Sequence, residues 1–144
     1  MNKHRFVWHD LNTKDLAGSQ RFYGELFNWK FGSSDNGPYV HITAGTEMIG
    51  GMRQMSADEP FPTNWLGYIG VDDVAATVGK ITSAGGKVFM PMTTMENVGT
   101  FAVTADPSGA PFAPWKSARP GEDVERSGPP PLFAFAWDEL VTTD

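Results

Sequence analysis

Apolar and polar residues follow two different periods along the chain, and these periods alternate. Residues 6–13 (FVWHDLNT) read as a strand, whereas residues 16–27 repeat their apolar side chains near helical spacing and predict a helix. Asp15 directly precedes that helix and can accept hydrogen bonds from its first N–H groups. Turn-forming residues then separate three further predicted strands, which are WKFGSS, YVHITAG and TEMIGGMRQ.

The same order of elements occurs a second time after a loop that contains proline. A strand (WLGYIGV) is followed by a helix that ends at Gly85-Gly86, and three more strands complete the run. A shift of 58 residues places Asp15 on Asp73 and keeps the two runs in one frame. The pattern therefore predicts an α+β protein of two tandem βαβββ units, at about residues 5–56 and 63–117, which arose by duplication.

The composition changes after residue 117. Residues 118–132 are rich in proline, glycine and charge and have no periodicity, which is typical of a linker. Residues 133–144 then repeat the beginning of the chain, because FAWDELVTTD matches FVWHDLNTKD at Phe, Trp, Leu, Thr and Asp. We therefore expect one domain over residues 1–117, then the linker, then an extra C-terminal strand that resembles the start of a further unit.

Composition excludes several classes of function. The chain of 144 residues has no cysteine, so disulfides and thiolate metal sites are absent, as is common in a reducing compartment. A net charge of -6 argues against nucleic acid, and no stretch approaches the roughly 20 apolar residues of a membrane span. No signal-peptide core is present, so we expect a cytoplasmic protein. The five Trp, ten Phe and seven Met suit either a core or an aromatic pocket.

Three motifs carry a resemblance to a known family: HDLNTKDLAGSQRFYGELFNW, GVDDVAATVGKITSAGG and DPSGAPFAPWK. In this order they resemble the vicinal oxygen chelate superfamily, which comprises glyoxalases, bleomycin resistance proteins and extradiol dioxygenases. The resemblance covers residues 5–117. It implies a cupped eight-stranded sheet around a cavity, and pairing of cups into homodimers. Because larger relatives carry two such pairs, it also implies that the terminal strand opens a further pair, left from a longer ancestor or continued beyond Asp144.

The resemblance also implies where a divalent metal would bind. Members that use a metal hold it with His, Gln or Glu on inward strand positions. Those positions carry Trp8, Leu66 and Ala113 here, and the fourth falls near residues 48–52 (MIGGM). None of these residues offers a hard nitrogen or oxygen donor. We therefore expect no metal ligands and no cofactor in this chain.

The same inward positions predict an aromatic-lined site. The candidate ligand-binding residues are Trp8, Asp10, Tyr68, Trp115, His41 and Met52. Aromatic faces and a carboxylate suit a small aromatic or cationic organic ligand. Structural roles stay open beside this one. The two tryptophans could fill the space of the missing metal, Asp10 could bind a neighbour such as Arg53, and a lone His41 is more often structural than catalytic.

Three functions remain open. The first is a metal-independent small-molecule-binding protein. The second is a metal-dependent lyase or dioxygenase of glyoxalase type, or an enzyme that uses Asp10 and His41 for acid–base chemistry. The third is an interaction module in which the terminal strand, residues 133–141, adds to a sheet edge of the same or another chain. We expect a homodimer and no nucleic-acid or membrane partner.

Overall fold

A computed structural model describes residues 4–34, 37–119 and 129–143 of the chain. Each run of strand, helix and three strands lies where the hydrophobic pattern predicts it, so the α+β class and the tandem βαβββ units are confirmed. The described elements are β1 (Phe6–Thr13), α1 (Leu16–Phe27), β2 (Lys30–Ser34), β3 (Gly37–Ala44), β4 (Glu47–Gln54), β5 (Asn64–Gly70), α2 (Val74–Ser83), β6 (Lys87–Met95), β7 (Gly99–Ala105) and β8 (Pro111–Ser117).

Both helices begin in the same way. The Asp15 carboxylate accepts a hydrogen bond from the Gly18 N–H at 2.9 Å, and the Asp73 carboxylate accepts one from the Ala76 N–H at 2.9 Å. These side chains satisfy N–H groups that have no partner inside the first turn of a helix. The cap that the 58-residue shift predicts is therefore present in both repeats.

Contacts divide the chain into two compact units. Of the described residues, the first compact unit contains those between positions 8 and 66 and those from 129 to 137. The second contains residues 4–7, 67–119 and 138–143. Strands of the first lie in the order β2-β3-β4-β1, and strands of the second in the order β5-β8-β7-β6. In each set the opening strand of a repeat pairs in parallel with its last strand, and the remaining pairs are antiparallel.

The core of the first compact unit lies on the face of its sheet that α1 covers. Partly buried side chains of α1, such as Tyr23 and Phe27, pack against it. Its buried members are Leu11, Trp29, Ile42, Ala44, Ile49 and Met52. In the second compact unit, the smaller cluster of Val71, Val74 and Ala102 packs against Ile69 and Val78.

The extra strand predicted over residues 133–144 is not formed over the described residues 133–143. Phe133 has a φ of 67°, far from strand values, and the Ala134 N–H donates to the Pro131 carbonyl at 3.1 Å, which closes a turn. Aromatic packing of Phe135 on His9 and Trp65 holds this segment instead of a backbone ladder. Residues 120–128 of the predicted linker, and Asp144, lie outside the described residues.

A helix that spans a membrane needs about 20 consecutive, mostly apolar residues. Neither α1 nor α2 has the length and hydropathy of such a span.

Candidate functional site

The two faces of β1 carry different chemistry. Trp8 and Asp10 lie on one face, and His9 and Leu11 lie on the other, because side chains alternate along a strand. Leu11 is buried in the core, and the His9 ring stacks on Phe135 with ring centroids 4.1 Å apart. The Asp10 side is therefore the face away from α1, and it carries a carboxylate that is only 7% exposed.

The Asp10 carboxylate is buried together with hydrogen-bond donors. The indole N–H of Trp8 donates to Oδ1 of Asp10 at 2.9 Å and is shared with the Tyr39 hydroxyl oxygen, also at 2.9 Å. The Tyr39 hydroxyl donates to the same Asp10 oxygen. A carboxylate can remain buried when such donors replace water, so these contacts account for its low exposure.

Gly51 allows Tyr39 to reach Asp10. In the sheet, Gly51 on β4 lies beside Asp10 on β1 and beside His41 on β3. The Tyr39 side chain crosses over Gly51. A Cβ built on Gly51 would overlap the Tyr39 hydroxyl and would lie 2.8 Å from Oδ1 of Asp10. Any larger residue at position 51 would break the contact between the tyrosine and the carboxylate.

His41 packs against the two aromatic side chains that donate hydrogen bonds to the carboxylate. Its ring stands edge-on to Tyr39 at 5.3 Å and to Trp8 at 6.4 Å between centroids. All three rings are half-buried, whereas Asp10 is buried. We call Trp8, Asp10, Tyr39, His41 and Gly51 the Asp10 site.

The structure brings three of the six predicted ligand-binding residues together, namely Trp8, Asp10 and His41. Met52 does not join them, because it is fully buried in the core on the α1 face, where it lies beside Leu11 and Val40. The reason is strand alternation: Gly51 faces Asp10, so its neighbour Met52 faces the opposite side.

The remaining two predicted residues lie in the second compact unit, in an aromatic group of their own. The Tyr68 ring is 6.1 Å from Trp115 and 5.9 Å from Phe101, and the last two rings are 6.3 Å apart. Tyr68 is 8% exposed and Trp115 is half-buried. We call these three residues the Tyr68 group.

Sequence reasoning missed Tyr39. The signal was present, because Tyr39 stands two residues before His41 on a predicted strand and so shares its face. The sequence could not show that its hydroxyl crosses a neighbouring strand, since that depends on the register of β1, β3 and β4.

The positions that the family resemblance assigns to a metal do not fit one. The Trp8 N–H already donates to two oxygens, and Leu66 and Ala113 are buried side chains of carbon alone. Over the described ranges, no group of three or more His, Cys, Asp or Glu side chains is arranged to hold a metal ion. Divalent metals in proteins need several nitrogen, oxygen or thiolate donors, which these positions lack.

Arg53, next to the site on β4, makes a separate ion pair. Its two terminal nitrogens donate to the two Glu59 carboxylate oxygens at 2.9 Å each, and its Nε donates to Asn12 at 3.0 Å. Hydrogen bonds from Arg53, and then from the Ser56 backbone, lower the pKa of Glu59 from 4.5 to about 2. This pair fastens the loop after β4 to the sheet.

The chain matches the model of a known protein family. The profile of the Glyoxalase/Bleomycin resistance protein/Dioxygenase superfamily matches residues 5–113. The chain belongs to this superfamily.

Two relatives illustrate its place in the superfamily. CFP32 of Mycobacterium tuberculosis, provisionally named a glyoxylase, is 34% identical over 145 aligned positions, which cover 94% of this chain and 53% of CFP32. The anthracycline biosynthesis protein DauV of Streptomyces sp. strain C5 is 31% identical over 154 positions, which cover 96% of this chain and 55% of DauV. The chain thus spans about half the length of the curated relatives it matches.

A solved structure agrees on the fold. A glyoxalase/bleomycin resistance protein/dioxygenase superfamily member from Vibrio splendidus aligns with a TM-score of 0.56 at 12% identity, over 80% of this chain and all of the other. At that identity the likeness concerns the fold alone.

Proposed function

We propose that this superfamily member is a metal-independent small-molecule-binding protein, and that its ligand is a flat organic molecule, aromatic or cationic, held at the Asp10 site. The observation that carries the proposal is the buried Asp10 carboxylate, which accepts hydrogen bonds from the half-buried side chains of Trp8 and Tyr39. The half-buried ring of His41 stands edge-on to both of those side chains. Ring faces attract cations and stack on flat molecules, and a nearby carboxylate adds negative potential.

The second repeat supports a functional origin for the carboxylate. The 58-residue shift places Tyr68 at the position of Asp10, and Tyr68 pairs with Ala113 as Asp10 pairs with Gly51. The second repeat thus builds the same strands with an aromatic ring at this position. Because burying a carboxylate carries a desolvation cost that the fold does not require, we infer that Asp10 is present for the ligand.

Tyr39 has a counterpart in the second repeat as well. Phe101 occupies the comparable place on β7, where it pairs with Trp115, two residues beyond Ala113 on β8. Tyr39 directly precedes Val40 on β3, and Val40 pairs with Met52, the residue after Gly51 on β4. A phenylalanine on β7 thus lies at the place that a tyrosine has on β3. The hydroxyl is the difference, and in the first repeat that hydroxyl bonds the carboxylate.

Binding without a metal is proposed from the chemistry of the side chains. The positions at which a metal is expected in this superfamily carry an indole, an isobutyl group and a methyl group, at Trp8, Leu66 and Ala113. Trp8 instead donates its N–H to Asp10 and can offer its ring to a ligand. The names of DauV and CFP32 refer to small-molecule chemistry, in agreement with a small organic ligand.

The Tyr68 group is proposed as a second ligand-contacting surface. Its rings are arranged edge-on or tilted, 5.9 to 6.3 Å apart, and Trp115 is half-buried. A Trp115→Ala variant tests this surface separately from the Asp10 site. A loss of ligand affinity would support a binding role, and unchanged affinity would assign Trp115 to the core.

Titration tests the proposal. 9-Aminoacridine is a flat aromatic cation at neutral pH, and acridine is its uncharged counterpart, so the pair separates stacking from charge. We expect saturable quenching of tryptophan emission by at least one of the two compounds. The affinity of that compound should be about tenfold or more weaker in Asp10→Asn. The exposed Asp72→Asn variant is the matched control for net charge. Equal affinity in the Asp10 variant and the wild type would reject the site.

Proton transfer is a second candidate function. The Tyr39 hydroxyl donates to the Asp10 carboxylate, and the His41 ring stands edge-on to the Tyr39 ring at 5.3 Å. Asp, Tyr and His side chains are all used in acid–base catalysis. A glyoxalase-type isomerase assay in the presence of a chelator tests this function. Turnover that is lost in Asp10→Asn would support it, and turnover that requires an added metal would contradict it.

Two further proposals concern the protein as a whole. A homodimer is proposed because strand edges in such sheets favour pairing between copies. A cytoplasmic location is proposed from the composition, which lacks cysteine. Sedimentation of the purified chain tests the first, and fractionation of cells tests the second.

A further inference from the structure

The C-terminal segment, residues 129–137, packs on the face of β1 and β4 opposite to the Asp10 site. The Phe135 ring stacks on His9 with centroids 4.1 Å apart and planes inclined by 21°. A Cβ built on Gly50 would lie 3.5 Å from a ring carbon of Phe135, so this ring also covers Gly50. His9 is the residue between Trp8 and Asp10, and Gly50 directly precedes Gly51.

The β4 backbone carries no side chain at Gly50 and Gly51, and both residues are buried. A Cβ on Gly50 would overlap the His9 carbonyl oxygen, and a Cβ on Gly51 would overlap the Tyr39 hydroxyl. On one side of this short stretch of backbone lies Phe135, and on the other lies the ring of Tyr39. Because no side chain can rotate to absorb a shift, a displacement of β4 would change both contacts together.

The segment has specific anchors. The indole N–H of Trp29 donates to the Phe133 carbonyl at 2.7 Å, and the Phe135 ring stands edge-on to Trp65 at 5.1 Å. Trp137, two residues further along, is 83% exposed. The attachment is therefore made by the residues around Phe133 and Phe135, and Trp137 provides an internal control.

We propose that Phe135 is a positioning residue for the Asp10 site, acting through His9 and the Gly50-Gly51 backbone. The docked ring holds β1 and β4 in the register that places the Tyr39 hydroxyl on Asp10. Release of the ring lets these strands shift and weakens that hydrogen bond. That the Asp10 site binds a ligand rests on the proposed function. The coupling between Phe135 and the Tyr39–Asp10 hydrogen bond can be measured without any ligand.

A double-mutant cycle in urea on the full chain tests the coupling. It compares the wild type, Phe135→Ala, Tyr39→Phe and the double variant. Tyr39→Phe should raise the unfolding equilibrium constant by some factor in the wild type. In the Phe135→Ala background that factor should be about one third as large or smaller, because the hydrogen bond is already weakened there. The same cycle with Trp137→Ala should be additive. Phe135→Leu, which keeps apolar bulk and loses the stacked ring, replaces Phe135→Ala if that variant does not fold.

An equal effect of Tyr39→Phe in both backgrounds would overturn the proposal, because a purely structural Phe135 lowers stability without altering the tyrosine. A second readout is the affinity for 9-aminoacridine. We expect Phe135→Leu to weaken it about threefold or more and Trp137→Ala to leave it unchanged. Absence of binding in the wild type would count against the proposed function only. Normal binding in Phe135→Leu would count against this inference only.

Discussion

The hydroxyl group of Tyr39 on β3 donates a hydrogen bond to the Asp10 carboxylate on β1, across the intervening strand β4. The crossing is possible because β4 has a glycine, Gly51, directly under the tyrosine ring. The contact links two strands that are not hydrogen-bonded neighbours, and it supplies a donor to a carboxylate that is 7% exposed.

Tyr39→Phe removes the hydroxyl and leaves the buried Asp10 with one donor fewer. We expect a loss of about 1–3 kcal/mol in the free energy of unfolding, the usual cost of leaving a buried polar group without its partner. Urea denaturation monitored by tryptophan emission measures it. Tyr23→Phe is the matched control, because the Tyr23 oxygen accepts only a neutral hydrogen bond from Trp65 at 3.2 Å. A negligible loss in Tyr39→Phe, below about 0.5 kcal/mol, would show that the carboxylate does not depend on Tyr39.

Alanine at two adjacent glycines should have different consequences. In Gly51→Ala the new methyl group overlaps the Tyr39 hydroxyl, which can rotate away, so we expect a folded protein with an altered Asp10 site. In Gly50→Ala the methyl group overlaps the His9 carbonyl, which is fixed in the β1 backbone, so we expect a larger loss of stability. Thermal unfolding and ligand affinity, measured together, separate the two outcomes. The reverse order of stabilities would contradict the geometry of this region.

The ion pair of Arg53 and Glu59 predicts an acid-sensitive contribution to stability. Because the pKa of Glu59 falls from 4.5 to about 2 on folding, the unfolded chain takes up its proton first as the pH drops. The contribution is therefore fully present above pH 4.5 and is lost as the pH falls toward 2. The effect should be small, since both side chains are partly exposed.

Melting temperatures of the wild type and of Glu59→Gln, followed from neutral to acid pH, measure this contribution. The difference between the two proteins should shrink as the pH falls. Glu25→Gln removes an exposed carboxylate from α1 and serves as the control. A difference between wild type and Glu59→Gln that stays constant down to acid pH would contradict the assignment.

Deletion of residues 118–144 should destabilise the remaining chain. The Trp29 indole N–H loses its acceptor, the Phe133 carbonyl, and His9 loses the stacked Phe135 ring. We expect a loss of about 2–4 kcal/mol, comparable with removal of a large buried side chain. The number of subunits in the assembly should not change, because the described residues of the segment form no strand. A smaller number of subunits with unchanged stability would favour strand exchange between copies.

The sequence predicted the elements well because their signals are local. The apolar pattern and the Asp15 cap defined β1 and α1, and strand alternation placed Trp8 and Asp10 on one face. The placement of Met52 failed, because its face depends on the register of β4 against β1, which no local pattern contains. Tyr39 was missed for a similar reason, since its role depends on a glycine in a neighbouring strand.

The C-terminal segment shows how a repeated sequence can adopt another structure. Residues 135–144 match residues 6–15, which include β1, and this match predicted a strand. Over the described residues the segment instead turns at Phe133 and packs by its rings, because Trp29, His9 and Trp65 offer an aromatic surface. Tertiary contacts of this kind outweigh local strand preference.

Titration of chelator-treated protein with 9-aminoacridine tests the central claim, a metal-independent ligand site at Asp10, most directly. We expect saturable quenching of tryptophan emission with the same affinity before and after chelation, and about tenfold or more weaker binding in Asp10→Asn and Tyr39→Phe. The surface variant Asp72→Asn should bind like the wild type. Binding that disappears on chelation and returns with an added divalent metal, or that is unchanged in Asp10→Asn, would contradict the account.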